Sequence, residues 1–192
     1  MGRIEVICGP MFSGKTEELM RRLNRAKIAR TKFQLFKSQV DNRYSETEVV
    51  THVGNKMECT PLTYCRDILE LVEEDTKIVA IAEAQFFSLQ FKNPVQSLVG
   101  AGKRVIVAGL DMDSDGHPFG PMGDVMSMAE QITKLTAVCE SCGSDATHTL
   151  RVSNSQGQVL VGEHDHYKAV CRSHWTTNWP QKTNYQEKRE AV

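Results

Sequence analysis

The chain reads as an α/β protein: a parallel sheet flanked by helices, with a small cysteine- and histidine-bearing domain at its C-terminal end. Three observations point there. Short apolar runs alternate with stretches of helical period, the pattern of strands joined by crossover helices. The first run leads into Gly9-Pro10-Met11-Phe12-Ser13-Gly14-Lys15-Thr16, a match to the phosphate-binding P-loop pattern G-x-x-x-x-G-K-[ST]. Beyond residue 136 the chain turns polar, with cysteines and histidines replacing apolar periodicity.

Taken in order, Ile4–Cys8 is a short apolar run suited to a buried strand, and it breaks at Gly9-Pro10. Leu19, Leu23 and Ala26 then recur at helical spacing, predicting a helix from about Lys15 to Arg30. Its arginines (Arg21, Arg22, Arg25, Arg30) read as a solvated basic face. Phe33–Phe36 is the next strand, and polar Lys37–Met57 reads as irregular. Ile68, Leu69, Leu71 and Val72 mark a short amphipathic helix. Ile78–Ala82 is a buried strand, the 90s carry a helix, and Arg104–Leu110 is a third apolar strand. Residues 1–136 form the P-loop domain in this reading, residues 137–180 the appended domain, and residues 181–192, with almost nothing to bury, a mobile tail.

Composition narrows the function. Of 192 residues, 40% are hydrophobic and 24% charged, the ordinary globular mixture, and one core is within reach of this length. The formal net charge of −1 gives none of the basic excess that non-specific nucleic-acid binding requires. No run approaches the roughly 20 apolar residues of a membrane span. The N-terminus shows no basic region followed by an apolar one, so no secretory leader is expected. The cysteines form no regular disulfide framework, and a cytoplasmic location fits their use.

The P-loop spacing has a chemical reason. Backbone N–H groups must wrap the β-phosphate, so Gly14 stands where a side chain would collide. The following helix offers unpaired N–H groups and the positive end of its dipole. Lys15 neutralises phosphate oxygens, and the Thr16 hydroxyl ligates Mg²⁺. These residues make ATP the expected nucleotide, with Gly9 to Thr16 as its phosphate site. A second nucleotide element is an apolar strand ending in an acid, but here the strand ends in Ala82 and the acid follows at Glu83. Neighbours on a strand face opposite ways, so Glu83 need not replace an acid at 82. As a carboxylate at the crevice, Glu83 suits a general base that takes a proton from an attacking hydroxyl.

Cys139-x₂-Cys142 and Cys171-x₂-His174 are two ligand pairs separated by 28 residues. Three thiolates and an imidazole suit tetrahedral Zn²⁺ in a closed, structural site. The enclosed segment has too few apolar residues to fold alone, and such a site contributes on the order of 10 kcal/mol. Free cysteines or a disulfide remain alternatives. His164 and His166 are candidate spare ligands that read more readily as solvated loop residues. A zinc ribbon also serves nucleic-acid readers, although Asp145, Glu163 and Asp165 make this one a poor fit.

Together Gly-Pro-Met-Phe-Ser-Gly-Lys-Thr at 9–16 and Glu-Ala-Gln-Phe-Phe at 83–87 closely resemble the thymidine kinases of the cellular and bacterial (type II) family. Val107–Asp113 with Pro118-Phe119-Gly120, Leu135–Cys142 and Tyr167–His174 extend the resemblance over nearly the whole chain. It implies transfer of the ATP γ-phosphate to the 5′-hydroxyl of thymidine, or less readily deoxyuridine, for salvage synthesis of dTMP. Glu83 would be the base. Asp41 and Arg43 would sit beside the substrate, and Met11, Phe12, Leu110 and Phe119 would line the pocket. The C-terminal segment becomes a zinc-ribbon/lasso closing over the nucleoside, with Thr149, Leu160 and Tyr167 near the base. A homotetramer and feedback inhibition by dTTP are also implied, with neither membrane nor nucleic acid as a partner. Two positions depart from the family pattern. Ala82 replaces an acid, and Ser114 replaces an aromatic residue of the pocket. The competing readings are a kinase of altered nucleoside preference, a nucleotide-binding protein without catalysis, and a P-loop/zinc-ribbon protein acting on nucleic acid.

Overall fold

The computed structural model describes residues 1–40, 47–50, 54–152 and 166–178. Its elements are β1 (Arg3–Cys8), α1 (Lys15–Ile28), β2 (Phe33–Ser38), β3 (Glu48–Val50), β4 (Lys56–Glu58), β5 (Thr60–Leu62), α2 (Ile68–Leu71), β6 (Ile78–Ala82), α3 (Lys92–Gly100), β7 (Arg104–Gly109), α4 (Met122–Met128), β8 (Gln131–Lys134), β9 (Ala137–Val138), β10 (Asp145–Ala146), β11 (His148–Arg151), β12 (Tyr167–Val170) and α5 (Arg172–Asn178). Six strands form one sheet in the order β5-β2-β6-β7-β1-β8, and every pairing in it is parallel. The carboxyl ends of all six therefore share one edge, where ligands bind in sheets of this kind.

The central strands are apolar throughout because both faces are covered. Val6, Val79, Ile81, Val105 and Val107 pack with Ile68 of α2, Val95 and Leu98 of α3, and Met122 and Val125 of α4. The alternate residues Ile7, Ile78, Ala80, Ala82, Ile106 and Ala108 pack with Leu19, Met20, Leu23 and Ala26 of α1. Each fully buried aliphatic side chain contributes roughly 1.5–3 kcal/mol, so this stripe outweighs α1's own helix propensity. Glu17 and Glu18 in the first turn and Arg25 and Lys27 in the last complement the α1 dipole, and Arg30, left-handed at φ 53°, lies just past its end.

The expected strands and helices are present with ends shifted by a residue or two. Others were not expected. Three-residue strands β3, β4 and β5 are too short to show a period, and the first two pair as a hairpin inside or beside the stretch read as irregular. Edge strand β8 carries one apolar residue, Ile132, and Gly123 interrupts the pattern of α4.

Arg22 corrects the expectation of a uniformly solvated arginine face. Arg21, Arg25 and Arg30 are exposed, but Arg22 is only 7% exposed and turns inward. It donates to Glu5 Oε2 at 2.8 Å, to Glu18 Oε1 at 2.8 Å and to Thr133 Oγ1 at 2.8 Å. Glu5 is 1% exposed, and Arg104 reaches both its oxygens, at 2.7 and 2.8 Å. Arg3 adds a contact at 2.7 Å. Burial alone would raise the Glu5 pKa, but the Arg104 hydrogen bonds and the charges of Arg104, Arg3 and Arg22 outweigh it and hold it below 4.5. This cluster ties α1 to β1 and β7.

Glu5→Gln should lower stability at neutral pH by about 3 kcal/mol, since it leaves converging arginines without their counter-charge. A depressed folded-state pKa means the contribution is present above pH 4.5 and is lost as pH falls through the folded value. The gap in melting temperature between wild type and variant should therefore narrow on acidification. An equal gap at every pH would show that the Glu5 charge is not the source.

Candidate active site

The P-loop follows β1 at the carboxyl edge. Gly9, at φ 140°, passes so near Leu135 that a Cβ would lie 2.4 Å from the Leu135 carbonyl oxygen. Phe12 at φ 63° and Gly14 at φ 80° bring the chain into the left-handed region before α1 begins. No side chain caps α1, so its first N–H groups stay directed at the loop. Lys15 Nζ donates to the Pro10 carbonyl at 2.6 Å, and Ser13 Oγ donates to the same oxygen at 2.8 Å. This folds the Lys15 ammonium over the loop it serves. The Met11 N–H donates to Thr149 Oγ1 at 3.0 Å, fastening the loop to β11.

Two strands along the same edge, β6 ends at Ala82, buried on the α1 side. Glu83 then adopts φ 52°, ψ 40°, a left-handed conformation that costs a glutamate about 1–3 kcal/mol. Gln85 is 2% exposed; its Nε2 donates to Glu83 Oε2 at 2.7 Å, and its Oε1 accepts from the Leu110 N–H at 3.0 Å. Phe86 and Phe119 meet edge to face at 5.8 Å. After β7, Asp111 is buried and pairs with Lys134 at 2.7 Å. Asp113 Oδ1 accepts from the Asp115 and His117 N–H groups, both at 2.9 Å, which closes a tight loop.

Cys139, Cys142, Cys171 and His174 present ligand atoms that all lie within 4.8 Å of one another. Cys142 Sγ is 3.9 Å from Cys171 Sγ, and His174 Nδ1 lies 3.1 Å from Cys171 Sγ and 3.7 Å from Cys139 Sγ. A disulfide needs about 2.05 Å, whereas two thiolates on a tetrahedral Zn²⁺ stand roughly 3.8 Å apart. The donor set and its spacing fit zinc. The His174 backbone N–H, then its ring, lower the Cys171 pKa to about 6, favouring the thiolate that ligates metal. Next to His174, Trp175 is buried; its indole N–H donates to the Ser114 carbonyl at 3.1 Å, and its ring covers Gly116 so closely that a Cβ there would lie 2.8 Å away. The His148 ring lies 4.8 Å from the same indole, tilted by 30°, and burial, then Arg172 and Lys134, lower its pKa below 6.5.

A family model, Thymidine kinase, matches residues 2–175. The chain belongs to the thymidine kinase family. A thymidine kinase from Rhodothermus sp. (strain ITI 518) is 49% identical over 172 residues, covering 90% of this chain and 80% of its own. Domain III of the Thermotoga maritima replication initiation protein DnaA superposes with a TM-score of 0.41 at 15% identity. That match covers 70% of this chain and 55% of the other, and is too slight to bear on fold or function.

Several residues singled out from sequence for this thymidine kinase family member are linked by contacts: Met11 with Thr149, and Glu83 with Leu110 through Gln85. Phe12 packs against the cluster of Ala137, Cys139, Ala146, Ala169, Val170 and Trp175. Tyr167 is buried on β12, its ring 6.0 Å from the Arg151 guanidinium carbon. Asp41, Arg43, Leu160 and His164 lie outside the described residues, as does the stretch 181–192. Sequence reading gave no role to Gln85 or Trp175. Gln85 lay within a quoted motif, but a polar residue after a strand end carries no signal of burial.

Elemental analysis should find one zinc per chain. Cys142→Ser should lower both the melting temperature and thymidine affinity, because His174 of the cluster and Trp175, which holds the loop after β7, sit side by side on α5. Full stability in a metal-free preparation would count against a structural ion.

Proposed function

We propose that the chain transfers the γ-phosphate of ATP to the 5′-hydroxyl of thymidine, with deoxyuridine a poorer acceptor, and that Glu83 is the general base. The observation that carries this is Glu83 held in a left-handed backbone at the sheet edge that also bears the P-loop. The α1 N-terminus and Lys15 hold the triphosphate and take up charge as it shifts toward the leaving oxygen. Glu83 accepts the 5′-hydroxyl proton as that oxygen bonds to the γ-phosphorus and the bond to the β,γ-bridging oxygen breaks, releasing ADP and dTMP. When bound, Mg²⁺ supplies charge neutralisation at the phosphates, and Thr16 is the residue here that would hold it.

Met11, Phe12, Leu110, Phe119, Thr149 and Tyr167 are the described residues assigned to the nucleoside side, joined by Asp41, Arg43 and Leu160. Thr149 acts first on the P-loop, through Met11. Trp175 covers the loop that carries Ser114, with its indole N–H on the Ser114 carbonyl and its ring against Gly116. We further assign residues 1–136 to the kinase domain and 137–180 to the lasso, a homotetrameric assembly, inhibition by dTTP and a cytoplasmic location. Among the described residues no helix is long and apolar enough to cross a membrane.

Glu83→Gln should lower kcat by about 100- to 10,000-fold while leaving ATP affinity unchanged. Labelled ATP incubated with each deoxynucleoside tests the reaction itself. ATP hydrolysis stimulated by single-stranded DNA, with no phosphorylated nucleoside, would favour the nucleic-acid reading. Ala82→Asp supplies a carboxylate on the α1 face beside the phosphate site and should raise kcat while lowering the half-saturating Mg²⁺. If neither moves in a magnesium titration, the missing acid has no part in turnover.

A further inference from the structure

We infer that Gln85 is a positioning residue for Glu83, an inference that rests on reading Glu83 as the base. The bonds of the Gln85 amide allow only one orientation. Its Oε1 accepts from the Leu110 N–H at 3.0 Å, and its Nε2 donates to Glu83 Oε2 at 2.7 Å. A flipped amide would set N–H against N–H at Leu110 and oxygen against oxygen at Glu83, so both ends select the same state. The neighbouring backbone makes way for this residue. A Cβ at position 109 would lie 2.7 Å from Gln85 Oε1 and one at position 120 would lie 2.2 Å from the Gln85 carbonyl oxygen, and both positions are glycine. At 2% exposure no solvent competes for the amide.

The consequence falls on Glu83. Its backbone leaves β6 in a left-handed turn, so the strand no longer dictates where the side chain goes. A glutamate carboxylate has three rotatable bonds between it and that backbone and sweeps a wide arc unless something holds it. Gln85 holds Oε2 and in turn is held by the end of β7. The carboxylate plane is thereby referenced to the sheet rather than to its own flexible side chain. Proton abstraction depends on hydrogen-bond reach between base and hydroxyl, and a misplacement of about 1 Å costs on the order of 100-fold in rate.

The test is a double-mutant cycle on the full-length protein, with kcat and the KM values for ATP and thymidine measured in each variant. Gln85→Met keeps the length of the side chain and removes both hydrogen bonds. It should lower kcat by about 10- to 100-fold with the KM for ATP unchanged. In a Glu83→Gln background the same substitution should change the residual kcat by less than about twofold, since a residue acting through Glu83 has nothing left to position. Gln85→Glu is the second variant: it keeps an acceptor for Leu110 and the packing, but turns an oxygen toward Glu83, and should lose at least as much turnover. An equal loss in both backgrounds, or no loss in the wild-type background, would overturn the inference and leave Gln85 as a brace between β6 and β7. Full turnover by Glu83→Gln alone would overturn the base assignment instead, so the two failures are distinguishable.

Discussion

The proposed nucleotide site rests on one requirement: the phosphates must be met by backbone N–H groups, not by side chains alone. Those groups converge only if the chain turns through the left-handed region and starts a helix without a side-chain cap. Phe12 and Gly14 provide the turn, and α1 begins uncapped. An uncapped helix end is a weak point unless the rest of the helix is fixed. Leu19, Met20, Leu23 and Ala26 fix it to the sheet, and Arg22 locks it to Glu5 and Thr133. The buried ion cluster is thus the far anchor of the helix that begins at the P-loop.

The carboxyl edge shows how the acids are distributed. The sequence places Asp111 and Asp113 near the vacancy at Ala82, which invites the idea that one of them substitutes for the missing acid. The structure gives both other work. Asp111 is paired with Lys134 at 2.7 Å, and Asp113 closes its own loop through two backbone N–H groups at 2.9 Å. Recruiting either one would break a charge-assisted bond at a buried carboxylate, a loss of about 1.5–3 kcal/mol before any gain. Glu83 lies at the same edge, where the neutral amide of Gln85 donates to its carboxylate at 2.7 Å.

Sequence legibility followed the length of each signal. The P-loop, β6 and the metal pairs could be read because each couples a fixed spacing to a single chemistry. The edge strand β8 could not, since one exposed isoleucine leaves no alternation to detect. Arg22 was misplaced for a related reason: it lies between Leu19 and Leu23 on the rim of the apolar stripe, and its burial depends on Glu5, distant in sequence and brought close only by the β1–α1 turn. Gln85 and Trp175 were opaque because each is fixed to a distant backbone group, that of Leu110 or of Ser114, which no side-chain pattern announces.

Those same backbone partnerships explain why a small metal module accompanies this sheet. The module grips two loops at once. Thr149 on β11 accepts from Met11 in the P-loop, while Trp175 on α5 donates to Ser114 in the loop after β7. β11 and α5 are held together through β12 and the buried cluster of Ala146, Ala169, Val170 and Trp175. That cluster is small for hydrophobic burial to offset chain entropy, and a metal held by Cys139, Cys142, Cys171 and His174 would supply the missing rigidity. An ion bound at that cluster would act through geometry: it would set how firmly the P-loop and the loop after β7 are kept in register with one another.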